Sequence, residues 1–234
     1  MLLLAFDTAT PAITVAVHDG SQVLASASVI DAHRHAELLT PAIAEVLIRA
    51  GVSKADLTTV CAGVGPGPYT GLRVGLVTAR VLASTLGIPG YGVCTLDIIA
   101  AAAGQDGDFL VATDARRREV YWARYSGSDR VDGPAVGKPL DVPGREDFPV
   151  AGAGSVLYPD AFPFQIFPEY PDAGVLAGLV AARLERAPVY HRGPSRGLGD
   201  TPVPFEAGLL ALEPLYLRRP DAREPGARKS VLPS

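Results

Sequence analysis

The chain opens on an unbroken apolar run, Leu2 to Phe6, which Asp7 ends. A continuous run of that length predicts a strand buried on both faces. Pro11 to Val17 then alternates, with Ile13, Val15 and Val17 sharing one side, and His18-Asp19-Gly20 reads as a turn in which glycine tolerates positive φ. Gln22 to Val29 alternates again around Val23, Ala25 and Ala27. The pattern predicts a three-stranded antiparallel meander.

Beyond it the period lengthens. His35 to Ala50 places apolar residues at helical spacing, and Gly51 follows as a stop. Pro41 falls inside that helix; it either begins the main helix after a Thr40 cap or kinks it. Strands are predicted at Thr58–Val64, Gly90–Val93, Phe109–Asp114 and Val120–Tyr125, and helices at Gly71–Leu86 and Leu96–Ala103. Ser126–Pro149 is rich in Gly, Pro and Asp and predicts loops with room for a hairpin. Val150–Ser155 reads as a strand entering a glycine turn, Asp172–Leu184 as a helix, and Ala187–Gly208 as loop.

Three strands, then helix, strand, helix, strand, is the ribonuclease-H-like order, which is also the half-domain of the actin, Hsp70 and sugar-kinase group. The expected architecture is therefore α/β: an actin/Hsp70-like, two-lobed fold with a reduced second lobe. Residues 1–103 form the N-terminal lobe, 104–217 a smaller C-terminal lobe, and the basic stretch 218–234 a flexible, solvated tail. Fold order alone carries no chemistry.

Composition narrows the function classes. Over 234 residues, 21 basic and 25 acidic side chains leave a formal charge of −4, so no global positive field draws the chain onto nucleic acid. Mean hydropathy is +0.21 although Gly, Pro or a charge interrupts every apolar run short of a membrane span. That surplus of apolar surface predicts a partner or a dimer. Cys61 and Cys94 are too few and too far apart for a disulfide framework; with no export signal at the start, they predict buried thiols in a reducing cytoplasm.

Four segments carry candidate chemistry. Asp7-Thr8-Ala9-Thr10 puts a carboxylate and two hydroxyls at a strand-to-strand turn, where they either contact phosphate or a hydrated metal, or simply cap the turn. Gly65-Pro66-Gly67-Pro68-Tyr69-Thr70-Gly71-Leu72-Arg73 joins a strand to a helix, with Thr70 as a possible cap. It is either an anion site, through Gly67, Thr70, Gly71 and Arg73, or a stiff connection. His33 and His35 are two apart, the wrong spacing for a helical metal pair. Asp114 to Trp122 reads as a hairpin with three arginines at its turn, either solvated or an anion or partner contact anchored by Trp122.

FDTAT (6–10), HRHAELL (33–39), GPGPYTGLRVG (65–75), DARRREVYWA (114–123) and EPLYLR (213–218), in that order, resemble the TsaB (YeaZ) family, bacterial relatives of the TsaD transferases. The resemblance implies a non-catalytic scaffold that supports a TsaD-type transferase, with a TsaE-type ATPase, in forming threonylcarbamoyladenosine beside the anticodon of tRNAs reading ANN codons. It implies no cofactor of its own, with ATP or ADP and metal on the TsaD-type partner. It implies no contact with tRNA except through the complex, and a homodimer when alone. The TsaD branch carries H-x-x-x-H on a helix for its metal; here His35 is followed by Ala36-Glu37-Leu38-Leu39, so the second histidine is absent. The implied partner surface is the helix pair 35–50 and 71–86, through Leu38, Leu39, Ala42, Val74, Val77 and Val81. Competing readings are a small actin-like ATPase or kinase using Asp7 and the Gly-Pro loop, and a ribonuclease-H-type nuclease using Asp7 with Asp114.

Overall fold

A computed structural model describes residues 1–186 and 209–217. β1 (Leu3–Asp7), β2 (Ala12–His18) and β3 (Val23–Ile30) form the expected meander. After α1 (His35–Ala50), β4 (Thr59–Gly63) and β5 (Gly90–Val93) join in parallel on the other side of β1, giving the order β3-β2-β1-β4-β5. β1 and β4 are buried at every position, as their unbroken apolar runs require. α1 and α2 (Tyr69–Leu86) cover one face, where Leu39, Ile43, Val46, Leu72 and Leu76 meet Phe6, Ile13 and Val15. Pro41 stays within α1, on its exposed face, and leaves the Glu37 carbonyl without its helical donor.

A second sheet follows. After α3 (Thr95–Ala103), β6 (Asp108–Asp114), β7 (Val120–Ser126), β8 (Asp129–Gly137) and the two-residue β9 (Val150–Ala151) stand in the order β8-β7-β6-β9. This repeats β3-β2-β1-β4: an antiparallel meander whose first strand takes a parallel fourth. The molecule is therefore a duplicated ribonuclease-H-like unit of the actin/Hsp70 kind, with the second copy reduced. α3 lies between the copies, with Ile98 in the first core and Leu96 and Ile99 in the second.

One sequence expectation is filled in, the hairpin allowed at 126–149, and two change. The stretch 126–149 holds a full strand, β8, despite Gly133-Pro134; the strand is an edge, where a missing N–H is tolerated. The strand at 150 stops after two residues because Gly152 takes a φ of 94° and packs on the Ala112 backbone, and α4 (Ala153–Leu157) begins at once. The 104–217 segment does not stay with the second sheet. α5 (Ala173–Arg186) lays Leu176, Ala177 and Val180 on Leu3, Ala5 and Ala16 of the first, and Leu210 pairs with Gly92 at the free edge of β5. The first sheet needs cover on its second face, and the chain returns to supply it. The stretch 187–208 and the basic tail 218–234 lie outside the described residues.

Candidate functional site

The sequence-predicted turn Asp7–Thr10 and the Gly-Pro loop meet, and they meet each other. Asp7 is 1% exposed. Its Oδ1 accepts from the Ala9 amide at 2.7 Å and its Oδ2 accepts from Thr95 Oγ1 at 2.7 Å. Thr95 Oγ1 in turn accepts from the Gly65 amide at 3.2 Å. Gly63 is a glycine because a Cβ there would collide with the Asp7 carboxylate. Burial pushes the Asp7 carboxyl up to about 6, while the bonds from Thr95 and Ala9 and the nearby His35 pull against that rise.

The neighbouring residues are used in the same way. Thr8 Oγ1 donates to the Gly71 carbonyl at 2.8 Å. A Cβ on Gly71 would stand 2.6 Å from the Thr8 carbonyl oxygen, one on Gly67 would strike the Ala9 carbonyl, and one on Gly75 would strike Thr8 Oγ1. Thr10 Oγ1 sits against the Ala12 amide and carbonyl. His35 Nε2 lies 2.8 Å from the Thr10 carbonyl, an acceptor only, so this ring nitrogen carries the proton. The glycines thus admit the chain's own Thr8 and Ala9, and the turn bolts together the start of α1, the start of α2 and the start of α3. Of the two readings of Asp7, Thr8, Thr10, Gly67 and Gly71, the packing favours the cap and the stiff connection over an anion cradle.

Thr70 and Arg73 fall elsewhere. α2 begins at Tyr69 with Pro68 at its cap position, so Thr70 lies in the first turn and is exposed instead of capping the helix. The Arg73 guanidinium lies 4.8 Å over the Tyr69 ring, and Tyr69 stacks on Tyr216 with centroids 5.7 Å apart. The sequence reading missed this stack; the signal for it was EPLYLR. The stretch 212–216 lies along α2 and the end of β4, with Arg80 Nε donating to the Leu212 carbonyl and the Leu215 amide donating to the Val64 carbonyl.

The predicted partner surface divides in two. Leu39 and Ala42 are buried in the first core and are withdrawn from it: both lie on the α1 face that packs on β2 and β3. Leu38 and Val74 are half-buried beside that core. Val77 and Val81, one turn apart on α2, are 54% and 57% exposed. With Ala36, Tyr69, Thr70, Arg73, Val74 and Thr78, Val77 lines a shallow groove of about 520 Å³. Val77 and Val81 thus form a β-branched pair open to water at i, i+4.

The remaining candidates resolve plainly. Among the described residues, no group of three or more His, Cys, Asp or Glu is placed to hold a metal, and no helix is long and apolar enough to cross a membrane. Asp7 and Asp114 close equivalent strands of separate sheets, β1 and β6. Cys61 and Cys94 are buried free thiols; burial raises both, Cys94 to about 12. Trp122 is 8% exposed and packs in the second core with Phe162 and Val142.

A duplicated actin-like fold, closed at its first turn and open on its α1/α2 face, defines the class. A family model described as "TsaD: tRNA N6-adenosine threonylcarbamoyltransferase" matches residues 28–161. The chain is 45% identical over 225 residues to an uncharacterized protein of Mycobacterium tuberculosis, covering 94% of this chain and 93% of that one. It is 37% identical over 128 residues to the tRNA threonylcarbamoyladenosine biosynthesis protein TsaB of Escherichia coli, covering 53% and 55%. A crystal structure from Pseudomonas aeruginosa, described as an uncharacterized protein with similarity to peptidase YeaZ, superposes with TM-score 0.68 at 31% identity over 82% of this chain and 99% of that one. The chain belongs to the TsaD family, in its TsaB (YeaZ) branch.

Proposed function

We propose that this chain is a non-catalytic scaffold subunit that docks a TsaD-type transferase during formation of threonylcarbamoyladenosine in tRNAs reading ANN codons. A TsaE-type ATPase completes the assembly, nucleotide and metal reside on the transferase, and the free chain pairs with a second copy in the cytoplasm. The observation that carries this reading is the open valine row of α2. Val77 and Val81 stand open to water on α2, and half-buried Val74 of α2 and Leu38 of α1 pack against the core beneath, an apolar surface of the kind a helix-on-helix interface covers. The scaffold role is supported by the first turn, where Asp7 is engaged by Ala9 and Thr95 and Thr8 is engaged by Gly71. The place in tRNA modification is supported by the family and by the TsaB relatives.

The test is Val77→Asp/Val81→Asp, mixed with the TsaD-type partner and followed by size-exclusion with light scattering and by threonylcarbamoylation of tRNA. The wild-type chain should co-elute with the partner and support the reaction. The variant should stay folded, elute alone and lose at least ten-fold in complex-dependent activity. Product formed by the partner without this chain, or by this chain without the partner, would remove the reading.

A further inference from the structure

We propose that the arginine turn between β6 and β7 is a contact for the phosphate backbone of the tRNA, an inference that rests on the tRNA-modifying reading above. Arg116, Arg117 and Arg118 take φ of 60°, 55° and 61°, three successive side-chain-bearing residues in the left-handed region that favours glycine. Strain of this kind persists only where its surroundings over-determine it, and it marks functional segments.

The surroundings do so here. The Ala115 amide donates to the Glu119 carbonyl at 2.9 Å, the Glu119 amide donates to the Arg116 carbonyl at 3.0 Å, and the Arg116 amide donates to Asp114 Oδ1 at 2.8 Å. Beneath the turn, Asp114 pairs with Val120, and Val120 and Tyr121 are buried. A left-handed helical turn rotates successive Cα–Cβ bonds by about 100°, so the three exposed arginine side chains leave the base in different directions. Donors that diverge match phosphates spaced along a strand better than the oxygens of one phosphate.

The duplicated fold sharpens the contrast. The equivalent turn of the first copy, after Asp7, is buried under the glycines of α2, whereas the turn after Asp114 is open and basic. With Asp114 and Glu119 beside them, the arginines leave one positive charge in excess, and Arg116 lies 3.7 Å from Asp114. The contact is therefore local and salt-sensitive and leaves the chain as a whole acidic.

The test is tRNA binding by the assembled complex across a salt series, with wild-type chain and with Arg117→Gly/Arg118→Gly. Glycine relieves the left-handed strain and removes two charges at once, so the two roles separate. The slope of log K against log salt should fall by about 2, and Kd should rise on the order of ten-fold at 0.1 M salt, while Tm rises by a few degrees. Arg117→Asn/Arg118→Asn, which also tolerates the left-handed region, should repeat the loss of binding. Unchanged slope and Kd beside a raised Tm would make the turn merely strained and overturn the proposal, as would a wild-type complex that fails to bind tRNA. A wild-type complex that binds tRNA but forms no threonylcarbamoyladenosine sinks the scaffold reading alone, and the binding comparison still decides the turn.

Discussion

Thr95 Oγ1 donates to Asp7 Oδ2 at 2.7 Å across 88 positions of sequence, and this bond ties the first strand to the start of the third helix. Both groups are buried, so neither can exchange its partner for water. Thr95→Val leaves the carboxylate with one donor fewer at nearly constant volume. We expect a loss of about 1–3 kcal/mol in chemical denaturation, the range for an unsatisfied buried polar group. A change under 0.5 kcal/mol would mean that the bond is not structural.

The same carboxylate makes stability depend on pH. Its folded value of about 6 lies above its ordinary 3.8, so the folded state holds the proton more tightly. Asp7 therefore contributes stability that is complete below about 3.8 and is lost as pH rises through about 6. Asp7→Asn cannot ionise. Relative to wild type, the variant should gain on the order of 2–3 kcal/mol between pH 4 and pH 7 in paired urea titrations. A constant difference between the two chains would place the Asp7 titration elsewhere.

The glycines of the second helix and its lead-in loop leave room for Thr8 and Ala9. Gly71→Ala drives a Cβ to 2.6 Å from the Thr8 carbonyl oxygen, which belongs to backbone and cannot swing away. The expected cost is about 1–3 kcal/mol. Gly107→Ala, with nothing within 4 Å of the new Cβ, is the control and should be neutral within about 0.5 kcal/mol. Equal effects at the two sites would refute the packing account.

Most of the first copy was legible because its strands are either continuously apolar or strictly alternating. Val15 announces its face by period, and Phe6 its strand by an unbroken apolar run. The meander, α1 and β4 fall close to where the pattern puts them. β8 was legible only as room for a hairpin because Gly133-Pro134 is a loop signal in isolation; its edge position, and the register shift that leaves both residues unpaired opposite β7, neutralise that signal. α5 was visible as a helix, but its partner was not. Nothing local in Leu176 or Val180 says that they belong against Leu3 and Ala16.

Of the candidate site, the residue types were readable and their use was not. Asp7 and the glycines stand out in the sequence, yet the same residues serve a phosphate cradle or a self-packed turn, and only the approach of Thr8 to Gly71 and Gly75 separates the two. Leu39 and Ala42 were placed on the partner surface by the family resemblance, which points to the two helices and does not mark where the core face of α1 ends. The structure sets that edge between Leu38 and Leu39.

The return of α5 to the first sheet has its own consequence. Leu176 is fully buried against β1 and β2, and Leu176→Ala should destabilise by about 2–5 kcal/mol. Hydrogen exchange should then show protection lost in β1 and β2 before β6 and β7. Loss beginning in the second sheet would assign α5 to the wrong copy.

The central claim is that the open face of α2 docks a transferase. It is tested most directly by light scattering on an equimolar mixture of this chain and its TsaD-type relative, with wild type beside Val77→Asp/Val81→Asp. We expect one heterocomplex for wild type and two separate species for the variant, with unchanged circular dichroism. A variant that still forms the complex, or a wild type that ignores the relative, would contradict it.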